Sequence, residues 1–139
     1  MRQVLVALLG VMSTAVHAGP QADYLLHCGG CHMVDGGGAP PEVPPLRDAL
    51  GWLASFQEGR DYLVQVPGAS QAPLSDADLA AVVNWVLVQF NAETIGTSFQ
   101  PLTAAEVGSA RSRPLLDPVK LRQEMWGRYG KAPAESSQH

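Results

Sequence analysis

An all-α fold is the expectation for this chain, and three features of the sequence support it. Residues 76–90 carry apolar side chains at helical spacing behind a capping serine, Thr103 and Asp117-Pro118 mark two further helix starts, and no segment alternates polar and apolar residues as a half-buried strand would. With 139 residues the chain has room for one small domain. Hydrophobic residues make up 46% of it and charged residues 16%, a balance that suits a globular core rather than a charged, disordered chain.

Taken in order, the first segment differs from the rest. Arg2 gives a positive start, residues 4–16 are mostly small and apolar, and Val16-His17-Ala18 ends on a small residue. This reads as a secretory signal peptide over residues 1–18, with Gly19 as the mature N-terminus. The apolar stretch of about a dozen residues is short of the roughly 20 that span a bilayer, and no later segment is long or apolar enough, so no membrane span is expected in the mature form. Removal of the signal leaves eight bases against thirteen acids, and the bases are unevenly placed: only Arg47 and Arg60 lie in residues 19–100, whereas six lie in 101–139. An acidic body with a mildly basic tail argues against nucleic acid as a partner.

Gln21 to His27 forms a short helix in this reading, with Tyr24 and Leu25 or Leu26 available to a core. Residues 35–45 must be loop, because Gly36-Gly37-Gly38 is permissive and Pro40-Pro41 and Pro44-Pro45 lack amide donors. A helix is expected over Asp48 to Glu58, with Leu50, Leu53, Ala54 and Phe56 as its apolar members and Gly59 as terminator. Val66-Pro67-Gly68 and Pro73 make the stretch from Tyr62 to Leu74 a loop. Ser75, with Asp76 and Asp78 behind it, should cap a helix over Asp76 to Phe90. Leu79, Val82, Val83, Val86 and Phe90 follow the helical period, and Trp85, Leu87 and Val88 widen the apolar face until the helix must be largely buried. Thr103 with Glu106 caps a shorter helix, Asp117-Pro118 a last one. From Lys131 onward the Ala, Pro, Glu, Ser and Gln composition predicts disorder. The organisation expected is thus signal peptide over 1–18, main domain over 19–100, and a helical extension over 101–139 that ends in a disordered tail.

Cys28-Gly29-Gly30-Cys31-His32 is the pattern associated with covalent haem attachment. Two thiols three positions apart can form thioethers with the two haem vinyl groups, while the adjacent imidazole reaches the iron from one face. The Gly29-Gly30 pair leaves space for the macrocycle. A structural zinc site would need four Cys or His ligands, and the chain has two cysteines. A thioredoxin-like pair would sit near a strand-helix-strand pattern, and would not require His32. A disulfide across so few residues would close a very small loop and stabilise little.

Over residues 21–90 the chain resembles the class I c-type cytochromes, small all-α monohaem domains in which a last helix crosses the first. Tyr24 and Trp85 sit where aromatic residues at that crossing are expected. The resemblance implies one covalently bound haem c, attached through Cys28 and Cys31, with His32 as ligand to the iron. It also implies that a proline carbonyl orients the ligand histidine and that a nearby leucine packs on the haem; Pro44 or Pro45 and Leu46 match that pattern. The chain departs from the family at the second axial ligand. The methionine normally found in the loop before the last helix would fall near Ala69, and residues 63–74 contain no Met, His, Cys or Lys. Met125 in the extension, a weak ligand from Gln65, Ser70 or Gln71, or water are the alternatives.

The function these features imply is single-electron transfer in the periplasm, between a redox donor such as a dehydrogenase, those with quinone cofactors included, and a downstream acceptor, without catalysis by the chain itself. A haem sensor or small catalyst with an open sixth iron position is the competing reading. The missing methionine favours it, and the lack of an obvious distal proton-transfer group opposes it. The basic extension, with Arg111, Arg113, Lys120, Arg122 and Arg128, could face an acidic partner or fold onto the chain's own acidic body.

Overall fold

The computed structural model describes residues 19–130. Pro20 opens the first helix, α1 (Pro20–His27), from the position where its missing N–H is no loss, and α2 (Gly29–His32) follows directly from Cys28. A single 3-10 turn (Leu53–Ser55) leads to α3 (Gln57–Gln65) and the one-turn α4 (Pro67–Ser70). Then come α5 (Asp76–Phe90), α6 (Ala104–Arg111) and α7 (Pro118–Tyr129). Among the described residues there is no β-strand beyond one antiparallel bridge between Ala39 and Val43, so the chain is all-α. No helix there is long and apolar enough to cross a membrane. The expected signal peptide and the disorder expected from Lys131 lie outside the described residues.

The caps foreseen from sequence form. Ser75 Oγ accepts from the Asp78 amide at 3.1 Å, Thr103 and Glu106 make a complete capping box, and Asp117 accepts from the Lys120 amide at 2.9 Å. Helix α5 buries Leu79, Ala80, Val82, Val86 and Leu87, and each fully buried Leu or Val contributes roughly 1.5–3 kcal/mol. It crosses α1 where the Tyr24 ring lies 5.2 Å from Trp85 and 5.4 Å from Phe90. Tyr24 is the one residue of α1 that is buried; Leu25 and Leu26, one of which was expected to face a core, are both exposed.

Two expected boundaries are wrong. The helix expected over residues 48–58 does not form: only the 3-10 turn is present up to Phe56, and α3 begins at Gln57, next to the expected helix end at Glu58. Tertiary hydrogen bonds take the backbone of this stretch instead, since the Asp48 amide donates to the Phe90 carbonyl and the Leu50 amide to Asn91 Oδ1. Gly59 does not terminate a helix; it lies in the first turn of α3, where a Cβ would collide with the Leu53 carbonyl. The stretch 62–74 is likewise not all loop. Pro67 stands at the start of α4, which needs no amide there, and Val66, held extended before the proline, separates α4 from α3.

The chain after α5 is fastened to the body. Asn84 exchanges two hydrogen bonds with Leu102, Arg60 on α3 holds the Gln100 carbonyl and Glu106, and Arg111 spans the carbonyls of Ser70, Ala72 and Leu74 as well as Asp76. The Leu115 amide donates to the Gln65 carbonyl, Arg122 meets Tyr62, and Arg128 and Tyr129 bond Glu58. Advancing contacts on the tail thus meet receding positions on α3, so α7 runs antiparallel to α3. Leu102, Val107, Ala110 and Met125 join the same core as Tyr24, Leu53, Leu63 and Leu79.

Candidate functional site

The attachment motif sits on one closed turn. The Cys31 and His32 amides both donate to the Cys28 carbonyl, at 3.2 and 2.9 Å, which brings residues i, i+3 and i+4 to one side. Both cysteines are free thiols; Cys28 is half-buried against the core and Cys31 is exposed. Burial, reinforced by Cys31, pushes the Cys28 thiol above its usual range. A Cβ on Gly30 would meet nothing within 4 Å, which leaves open room on this side of the turn.

His32 is oriented from the loop that follows. Its Nδ1 lies 3.1 Å from the Pro44 carbonyl, and because a carbonyl only accepts, the proton resides on Nδ1 and the Nε2 lone pair is free. Of the two prolines expected for this role, Pro44 makes the bond. Pro45 is half-buried next to it, and Leu46 packs against the core. Burial holds the imidazole below its ordinary value, with the Pro44 bond acting in the opposite direction, so the ring is neutral near pH 7, the form that binds a metal.

The loop is rigid for reasons that can be named. Gly36 and Gly38 adopt φ of +78° and +68°, and a Cβ on Gly38 would run into the carbonyls of Val43 and Pro44. The Leu46 amide donates to the Gly36 carbonyl at 2.9 Å, and Arg47 pairs with Asp35. Asn91, fully buried after α5, donates to the Leu46 carbonyl and accepts from the Leu50 amide. The Tyr24 hydroxyl, raised in pKa chiefly by burial, donates to the Met33 carbonyl at 2.6 Å. Sequence reasoning missed Tyr24 and Asn91 in these roles. A polar residue immediately after an apolar helix, as at Asn91, was the available signal.

The alternatives for the second axial position are scattered. Gln65 is buried at the end of α3, Ser70 Oγ on α4 is buried without a hydrogen-bond partner, Gln71 is exposed, and Met125 is fully buried on α7.

A family model described as "Cytochrome c" matches residues 18–89. The chain belongs to the cytochrome c family. It is similar to a cytochrome c-552 of Thermus thermophilus, 29% identical over an alignment of 133 residues that covers 83% of this chain and 90% of the relative. A second Thermus thermophilus cytochrome c-552 is 30% identical over 106 residues, covering 63% of this chain and 81% of the relative. The protein is therefore a class I monohaem c-type cytochrome, an electron-transfer protein whose cofactor is covalent haem c with its iron. The residues present fit that group: two unpaired thiols and a neutral imidazole with a free Nε2 share one turn, beside open room at Gly30.

Proposed function

We propose that this cytochrome is a periplasmic single-electron carrier, not a catalyst, which takes an electron from a dehydrogenase and passes it to a later acceptor. Cys28 and Cys31 would hold the haem by thioether bonds, and His32 Nε2 would ligate the iron. Pro44 fixes the imidazole, and Pro45 and Leu46, next to it in the chain, would pack against the cofactor. The haem supplies the redox change, and the protein sets its potential and the face it offers. The observation that carries this reading is the 3.1 Å contact between His32 Nδ1 and the Pro44 carbonyl, beside two free thiols on the same turn.

Delivery of electrons is supported by the surface around the motif. Cys31 is exposed, and Leu25, Leu26, Met33 and Val34 beside it are exposed at 47%, 74%, 46% and 73%. An apolar rim of this kind suits brief contact with successive protein partners. The donor class that fits an exported carrier is a periplasmic dehydrogenase, including those with quinone cofactors.

Export precedes maturation in this reading, so the holoprotein should be periplasmic with Gly19 as its first residue. The test is to denature matured protein in acidified organic solvent. Haem should remain with the polypeptide, and Cys28→Ala or Cys31→Ala should lower or abolish the holoprotein. Release of all the haem from the wild-type chain would overturn the assignment.

One observation favours the second reading, a sensor or small catalyst with an open sixth position: α4 and its flanks, residues 66–75, contain no sulfur or imidazole. Carbon monoxide added to reduced protein separates the two. Tight, rapid binding supports the open site, and its absence supports a closed carrier.

A further inference from the structure

Tyr24 holds the attachment turn from both ends. Its main-chain carbonyl accepts from the Cys28 amide at 2.8 Å, where the turn begins. Its hydroxyl donates to the Met33 carbonyl at 2.6 Å, just past His32, and lies 3.5 Å from the His32 carbonyl as well. Tyr24 itself is immobilised, since it is fully buried and its ring packs at the helix crossing against Trp85 and Phe90.

Met33 needs such a hold. Among the described residues it is one of two non-glycine residues with positive φ, at φ 60° and ψ 166°. That region is populated almost only by glycine, and another residue stays there only where its surroundings impose it. The Met33 side chain is 46% exposed, so packing of the side chain does little to impose it. The Met33 carbonyl also accepts from the Gly36 amide, but at 3.4 Å, much longer than the contact from Tyr24.

The path of the chain as it leaves His32 fixes the backbone on which the imidazole stands, and the 3.1 Å contact of Nδ1 with the Pro44 carbonyl depends on that backbone. We propose that Tyr24 is a positioning residue for the iron ligand: its hydroxyl keeps Met33 in the positive-φ conformation and thereby keeps His32 aligned with Pro44. This inference rests on the haem assignment above. Packing at the crossing of α1 and α5 needs only the ring, so the hydroxyl is the part that the proposal concerns.

The Pro44 bond makes the imidazole a stronger donor, which favours ferric over ferrous iron. Loss of the hydroxyl weakens that bond, and the midpoint potential rises. Glycine adopts the Met33 conformation without strain, so Met33→Gly removes most of the need for the hydroxyl.

The test compares full-length holoprotein as wild type, Tyr24→Phe, Met33→Gly and the double variant. Tyr24→Phe keeps the ring and removes only the hydroxyl. Midpoint potentials are measured together with the hyperfine-shifted proton resonances of the His32 ring in the oxidised protein. Tyr24→Phe should raise the potential and displace the His32 resonances. The same substitution should do markedly less in the Met33→Gly background. Where Tyr24→Phe alone does not accumulate as holoprotein, the double variant should restore it, and failure to restore it would count against the proposal. A potential and His32 resonances in Tyr24→Phe that match wild type, or changes of equal size in both backgrounds, would overturn the positioning role and leave the haem assignment standing. A wild-type chain without covalent haem would overturn the haem assignment instead.

Discussion

The segment that carries the attachment motif and the seat of the C-terminal tail differ in how far the protein completes itself. On the proximal side, from Cys28 to Leu46, polar groups find partners within the chain. His32 bonds Pro44, Tyr24 bonds Met33, Arg47 pairs with Asp35, and Asn91 secures both Leu46 and Leu50. On the tail side, between α3, α4 and α7, buried donors of Ser70, Arg122 and Trp126 are left over. A region satisfied by its own chain can be ordered before the cofactor arrives. A region with unpaired buried donors reaches full stability only when something accepts from them.

Deleting the tail should break this contrast most severely. Truncation after Gln100 removes Leu102, Val107, Ala110 and Met125 from the common core. Four buried apolar side chains represent a loss comparable with the whole stability of a small domain, about 5–15 kcal/mol. The truncated chain is expected not to melt cooperatively by circular dichroism. A melting curve equal to that of the full chain would show the tail to be dispensable packing.

A narrower cut through the same region is Met125→Ala. Met125 is fully buried, and truncating such a side chain costs about 2–5 kcal/mol, read as a lower denaturant midpoint with an unchanged slope. The oxidised wild type is expected to lack the near-infrared sulfur-to-iron band. A band that is present, and is lost with Met125, would change the role of this residue from packing to iron ligation.

The same contrast explains what the sequence disclosed. The attachment motif, the caps at Ser75, Thr103 and Asp117, and α5 were legible, because each is a local pattern with its cause within a few residues. Residues 48–58 were not. Their helical-looking apolar spacing was overridden by bonds to Phe90 and Asn91, about forty positions away. Gly59 illustrates the same limit: glycine near an expected helix end is also what a close backbone crossing demands. The tail's bases were visible as charges, but not their division into exposed pairs at Arg113 and Arg128, a largely buried clasp at Arg111, and the buried Arg122. The signal for the last was its helical spacing from Met125, Trp126 and Tyr129.

On the proximal side the sharpest single test is Asn91→Leu, which keeps the side chain's bulk and leaves the Leu46 carbonyl and Leu50 amide without their partner. Buried groups orphaned in this way cost about 1–3 kcal/mol. Since Leu46 follows the loop that carries Pro44, the substitution should also loosen the His32 orientation, seen as broadened iron–imidazole vibrations in resonance Raman spectra. A destabilised protein with an unchanged iron–imidazole band would mean that the glycine turns alone hold the loop.

The smallest effect belongs to the clasp between body and tail. Glu106 accepts from the Thr103 amide and hydroxyl and pairs with Arg60 at 2.9 Å. The Thr103 amide first, and then Arg60, hold its carboxyl below the ordinary value of 4.5. A carboxylate with a depressed folded pKa adds stability that is fully present above the unfolded value and is lost as pH falls through the folded one. The clasp should therefore hold at neutral pH and release only in acid, below about pH 4.5. Glu106→Gln retains the shape of the capping box and removes the charge, so it isolates that contribution, which for a partly exposed pair is about 0.5 kcal/mol. Melting temperatures of the two proteins should differ slightly at pH 7 and converge as the pH is lowered through 4.5 toward 3. A gap that persists unchanged into acid would assign the difference to cap geometry instead of charge.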